Sequence, residues 1–272
     1  MIGFNALGQL GQLGNQMFQI ASLRGIAANR GYNYCFPIHQ HVTVDALGNN
    51  LRIDIQNPFT LQNINPLNVQ AIDPDRPVVN EDGFHFNEGI FNECPDWVDL
   101  RGFFQTEKYF AHVKDMIREM FTFRPEILDP ARQMIESLNK VPVALHIRRG
   151  DFLRNSGNHH NLSIDWYGRA LDKINLDGRQ VVIFSDDPDW CREQQVFGDD
   201  DKFLVSESNN HYTDLALMSL CSGHIIANST YSWWGAWLAD SKEVIAPAKW
   251  FGPDNEHLSI EDLYCDHWEV LE

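Results

Sequence analysis

Four short segments of this chain place reactive side chains beside turn-forming residues. The first is His146-Ile147-Arg148-Arg149-Gly150-Asp151, which sets two guanidiniums and a carboxylate directly after an apolar run. A guanidinium keeps its charge and offers a planar fork of donors that matches pairs of phosphate oxygens. On a strand, alternation puts His146 and Arg148 on one face and Arg149 on the other. The same residues also fit a plain arginine pair tied to surface carboxylates such as Asp151. The second segment is Phe184-Ser185-Asp186-Asp187-Pro188. Its acids can cap a helix, hold a divalent cation, or accept hydrogen bonds from a base with two adjacent donors. Guanine has such an edge and adenine does not. The third is Asn228-Ser229-Thr230-Tyr231-Ser232-Trp233-Trp234. Free N–H groups at a helix start bind phosphate, and Ser229, Thr230 and Ser232 add hydroxyl donors. Trp233, Trp234 and Trp237 fit an aromatic core helix behind such a cap. The fourth is Leu13-Gly14-Asn15-Gln16, a Gly-rich turn without GxGxxG or a P-loop lysine. Asn15 and Gln16 can orient a sugar or diphosphate there, or serve only as a polar turn.

The elements that must carry these segments alternate. Residues 141–147, 181–184, 203–205, 224–227 and 243–246 are short and apolar, as buried strands are. Between them, 163–174, 211–221 and 229–239 have helical spacing. Ser163 is placed as an N-cap, Asp187 caps a helix opening at Pro188, and Gly223 stops the helix from 211. Strand–helix alternation predicts an α/β fold with a parallel sheet covered on both faces, binding ligands beyond the carboxyl ends of its strands. Earlier in the chain, helices are expected over 14–30, 107–120 and 125–138. Residues 37–106, rich in Pro, Asn, Asp and Gly, read as short strands, turns and loops. The expected boundary is near residue 140.

Composition narrows the function class. The 272 residues carry a formal charge of −17, which disfavours general nucleic-acid binding and makes any arginine cluster informative. No apolar run reaches the roughly 18 to 20 residues of a membrane span, and no signal peptide is evident. The five cysteines show no CxxC pairing and read as buried thiols of a reducing compartment, so the expected location is cytoplasmic, with peripheral membrane contact left open. His39/His41 and His159/His160 form pairs without an HExxH pattern, so a metal-dependent hydrolase is disfavoured.

Taken together, GQLGNQMFQIA, HIRRGDF, FSDDPDWC and NSTYSWWGAWLA resemble the motifs of glycosyltransferase family 11, in that family's order, from residue 8 to about 250. The N-terminus departs from the pattern, because loose Gly/Gln-rich sequence precedes the second GQLG. The resemblance implies an inverting α-1,2-fucosyltransferase of GT-B fold, with two Rossmann-like halves facing a cleft. It implies an acceptor half over 1–140, a GDP-fucose half over 141–248, and a tail over 249–272 packing back on the N-terminal half. It also implies GDP-fucose as donor substrate, a galactoside acceptor, and no metal or other cofactor. Arg148 would hold the β-phosphate and His146 would help place the nucleotide. Asp187, with Asp186, would read guanine. Ser229, Thr230 and Ser232 would hold the diphosphate, and Ser185 and Asn228 would join the nucleotide-binding set. Asn15 would face the reaction, and Asp151 is the candidate general base. The alternatives are another GDP-sugar or protein O-fucosyltransferase, and a non-catalytic sugar- or nucleotide-binding protein.

Overall fold

The computed structural model describes residues 1–39, 42–45 and 48–272, in two compact units. The first holds residues 1–123 and 258–265; the second holds 124–257 and 266–272.

In the first unit, β1 (Ile2–Gly3) leads through a long turn into α1 (Leu13–Arg30), which closes on Gly31 in the left-handed region. The chain continues through β2 (Tyr34–Cys35), the antiparallel pair β3 (Thr43–Val44) and β4 (Asn50–Leu51), β5 (Val78–Asn80), α2 (Glu88–Glu93), β6 (Val98–Arg101) and α3 (Lys114–Met120). The main sheet has the order β2-β1-β6-β5, with every pair parallel. The first strand is therefore Ile2–Gly3, and the Gly/Gln-rich stretch is the turn after it.

The helix expected over 107–120 is broken. It forms two 3-10 turns, Glu107–Tyr109 and Ala111–Val113, before α3 begins. Tertiary packing overrides local propensity here. Tyr109 and Phe110 are fully buried, and a Cβ at Gly25 of α1 would stand 2.0 Å from the Tyr109 carbonyl. Only glycine lets α1 approach that backbone.

The second unit opens with α4 (Pro125–Ser137) and β7 (Val143–Ile147). It continues with α5 (Gly150–Arg154), α6 (Ile164–Lys173), β8 (Val181–Ser185), α7 (Pro188–Arg192), β9 (Phe203–Val205) and α8 (His211–Ser219). It ends with β10 (Gly223–Ile225), α9 (Thr230–Leu238), β11 (Val244–Pro247) and β12 (Glu269–Leu271). Its six strands are all parallel, in the order β12-β11-β10-β7-β8-β9. All five residues of β7 are buried, as a central strand covered on both faces requires. Ser163 and Asp187 cap their helices as expected, accepting from the N–H groups of Trp166 and Trp190. Gly223 instead opens β10, and α8 ends earlier, at Ser219.

The division between units falls at 123/124 rather than near 140, because α4 packs along α8 and so belongs with the second unit. The tail divides too. Asp262 accepts from the Phe86 N–H at 2.9 Å within the first unit. Residues 269–271 then add a sixth strand to the second sheet, and Trp268 packs against Trp233 at 5.4 Å. All five cysteines are buried. No helix among the described residues is long and apolar enough to cross a membrane.

Candidate active site at the switch point of the second sheet

The strand order of the second sheet reverses once. From β7 the chain winds outward through β8 and β9, then returns to β7's other side and winds outward through β10, β11 and β12. The reversal lies between β7 and β10. In doubly wound sheets that crevice, beyond the carboxyl ends of the strands, is the ligand site. The turn after β7 carries Arg148 and Arg149, and the turn after β10 carries Asn228 and Ser229. Two segments 80 residues apart in sequence thus end on neighbouring strands.

His146 joins the two turns. Its ring is buried, and Nδ1 lies 2.9 Å from Ser232 Oγ. Ser232 Oγ also lies 3.3 Å from the Ser229 carbonyl oxygen, so one hydroxyl links the ring to the first turn of the helix. Burial, helped by the Arg148 cation, holds this imidazole down to about pKa 3, so it is neutral at physiological pH. Ser232 is itself buried and doubly engaged. Its hydroxyl is engaged by His146 and the Ser229 carbonyl within the protein. Asn228 is also engaged within the protein. Its Nδ2 donates to the carbonyls of His160 and Trp250, both at 2.8 Å, so it pins loops around the site. Ser229 is the N-cap of α9 and makes no side-chain capping bond. Its hydroxyl and that of Thr230 remain at a helix start whose first N–H groups lack intrahelical partners.

Arg148 is held on two sides. Nη2 pairs with Asp151 Oδ1 at 2.5 Å and Nη1 with Asp186 Oδ2 at 2.7 Å, and the guanidinium lies 5.2 Å from the centre of the Phe152 ring. Asp186 Oδ1 also accepts the Arg149 backbone N–H at 2.8 Å. Arg149 Nε reaches Asp187 Oδ2 at 3.0 Å, and its guanidinium stacks 3.7 Å above the Trp190 ring. Asp187 Oδ1 caps α7, and Ser185 Oγ accepts the Asp187 N–H at 3.0 Å. Capping and arginine pairing, both open in the sequence, are thus realised together. Two guanidiniums meet three carboxylates, so the cluster carries one net formal negative charge before any ligand arrives. The expected concentration of positive charge is therefore a concentration of oriented donors held by carboxylates.

Asn15 belongs to the first unit, where its Oδ1 accepts from Gln105 Nε2 at 3.0 Å. Gln16 is spent on structure. Its Oε1 accepts the Asp54 and Ile55 N–H groups and its Nε2 donates to the Arg52 carbonyl. His159 stacks on Phe152 with centroids 3.9 Å apart. His39 is described, and His41 lies outside the described residues. Among the described residues no three His, Cys, Asp or Glu side chains gather as a metal site. An apolar cavity bordered by Met134, Phe197, Phe203, Val205 and Leu217 lies at the β9 edge, away from the switch point.

Sequence reasoning gave no role to Gly150, Phe152 or Trp190. Gly150 is needed because a Cβ there would stand 2.4 Å from Asp186 Oδ2. The aromatic rings under both arginines carried only a faint signal, their nearness in sequence to RRGD and SDDP.

Residues 2–272 match the family model described as Glycosyl transferase family 11. The chain belongs to that family. An Escherichia coli α-1,2-colitosyltransferase is 32% identical over 96% of this chain and 97% of its own length. Galactoside α-(1,2)-fucosyltransferase 1 of Aotus azarae is 26% identical over 95% of this chain and 72% of that protein. Among solved structures, POFUT1 in complex with GDP-fucose superposes with a TM-score of 0.56 at 15% identity, covering 88% of this chain and 94% of that one. A family 9 glycosyltransferase from Veillonella parvula gives 0.50 at 13% identity, covering 100% and 84%. At such identities the superpositions speak for the fold alone. They place this family 11 glycosyltransferase among α/β enzymes built on parallel sheets.

Proposed function

We propose that this enzyme transfers fucose from GDP-fucose to the 2-hydroxyl of a terminal galactoside, with inversion at the anomeric carbon and without a metal ion. The observation that carries this is the switch point of the second sheet, which brings Arg148 and the start of α9 onto adjacent strand ends. As the sugar–phosphate bond breaks, negative charge grows on the β-phosphate. Arg148, the free N–H groups of α9, and the hydroxyls of Ser229 and Thr230 are the donors that would meet it. Donors fixed before the reaction stabilise that growing charge more than the ground state. Of Arg148's five N–H groups, two hold Asp151 and Asp186, which leaves donors of the fork for oxygen ligands. In this scheme Asp151 anchors Arg148, and Asp186 and Asp187 border the pocket for the guanine edge. Neutral His146 holds Ser232 and the turn before α9 in place.

One finding favours a second donor. The E. coli relative at 32% identity is a colitosyltransferase, and colitose is fucose without its 3-hydroxyl. The test offers GDP-fucose and GDP-colitose to the purified enzyme in excess EDTA, with a panel of galactosides, and determines the linkage of any product. α-1,2-Fucosylation of galactose supports the first assignment, and clear preference for GDP-colitose the second. Transfer to protein Ser or Thr, or binding without transfer, would overturn both.

A further inference from the structure

The first sheet has a switch point of its own. β1 is followed by β2 on one side, while β6 lies on the other with β5 beyond it. The turns after β1 and β6, residues 4–12 and 102–106, therefore flank a crevice of the kind that binds ligands in α/β sheets. Three side-chain oxygens around this crevice are buried and have no hydrogen-bond donor: Gln19 Oε1, Glu81 Oε1 and Gln105 Oε1.

The orientation of Gln19 is dictated. Gln19 of α1 is fully buried, and its Nε2 donates to the Leu10 carbonyl at 3.0 Å and the Gly102 carbonyl at 3.2 Å. Both partners accept only, so the amide nitrogen must face them and the oxygen must face away. Gln105, also buried, spends Nε2 on Asn15 Oδ1. Glu81, just past β5, accepts the Phe103 and Phe104 N–H groups on Oε2 at 2.8 and 2.7 Å. Gly102 leaves room for it, because a Cβ there would stand 2.6 Å from Glu81 Oε2. An unmet buried acceptor is destabilising, and native proteins leave few of them. Three along one pair of turns call for a guest that brings donors.

We propose that Gln19, Glu81 and Gln105 form a subsite for the hydroxyl groups of a neutral polyol, the acceptor sugar. This rests on the glycosyltransferase assignment above. The chemistry selects the class of guest: burial pushes the Glu81 carboxyl up to about 7, and the amide and carboxyl oxygens of the cluster suit O–H donors.

Glu81→Gln tests it. The amide can keep accepting from Phe103 and Phe104 while replacing the free oxygen by a donor. The cluster would then be satisfied from within and closed to a guest. The expected result is a raised melting temperature together with an acceptor KM at least tenfold higher, for lactose as probe at saturating donor. The donor KM is read alongside. An acceptor KM within twofold of wild type would mean that the cluster holds only water, and would overturn the subsite. Equal rises in both KM values would also overturn it. A separate readout, lactose binding by saturation-transfer NMR, needs no donor. Wild-type binding that Glu81→Gln leaves unchanged would again sink the subsite. Absence of any donor turnover with lactose binding intact would instead count against the proposed function.

Discussion

Replacing Gly150 by alanine isolates the link between the two arginine–carboxylate turns. Gly150 is the first residue of α5 and is absent from the left-handed region, so alanine suits the backbone there. Helix propensity alone would make the change stabilising by up to about 1 kcal/mol. The new methyl would, however, stand 2.4 Å from Asp186 Oδ2 and 3.2 Å from its Cγ. To regain contact distance the carboxylate must retreat by roughly 1 Å, a shift that breaks a bond whose partners sit at hydrogen-bond distance. That loosens the Arg148–Asp186 pair at 2.7 Å and strains the bond from the Arg149 N–H. A charge-assisted hydrogen bond contributes about 1.5 to 3 kcal/mol. These side chains are 22% and 24% exposed, so solvent screening favours the low end. A loss of about 1.5 to 2 kcal/mol in positioning is a fall of roughly 10- to 30-fold in kcat/KM for the donor. Steady-state kinetics with thermal unfolding as a companion measure this. Activity within twofold of wild type, or tighter donor binding, would refute the reasoning. The latter would mean that Asp186 competes with the diphosphate instead of steering Arg148.

Three further outcomes are expected. Arg148→Lys should cost about a hundredfold in turnover with the fold intact, because an ammonium cannot span Asp151, Asp186 and a phosphate oxygen at once; near wild-type rates would remove Arg148 from the mechanism. His146 has its pKa lowered from 6.5 to about 3 in the fold, so the unfolded chain binds its proton more readily between those values. Stability contributed by this site should therefore be complete above pH 6.5 and fall as pH drops toward 3; His146→Gln should blunt that fall in denaturation curves, and an unchanged acid slope would contradict the burial account. Gly25→Ala should destabilise the first unit by several kcal/mol, since its methyl would meet the Tyr109 carbonyl at 2.0 Å, a severe case of overpacking; a melting temperature equal to wild type would show that α1 can shift freely.

Much of the second unit was legible because its signals are local. Continuous apolar runs such as 143–147 and 181–184 state a buried parallel strand, and Ser163 and Asp187 state their helix starts. Sheet order was not legible, because pairing across 80 residues depends on tertiary packing. The boundary was misplaced for a related reason. α4 looks like part of the first half until its apolar face is seen to rest on α8. The break at Phe110 arises from the close approach of α1, which no periodicity in 107–120 reveals. In the candidate site, the placement of Arg148 after a strand and of Ser229 and Thr230 at a helix start was legible. The backbone bonds of Ser232 and Asn228 were not legible, because a hydroxyl or amide in a polar motif does not say which groups it meets. Glu81 and Gln105 were invisible as single polar residues in an irregular stretch.

The central claim is that strand ends around β7 and β10 grip the diphosphate of a guanosine nucleotide through protein donors alone. Calorimetric titration of the enzyme with GDP and GMP in excess EDTA tests it directly. The account predicts metal-free GDP binding, GMP weaker by at least tenfold for want of the β-phosphate, and loss of that difference in Arg148→Lys. Equal affinity for the two nucleotides, or GDP binding only with an added divalent ion, would contradict it.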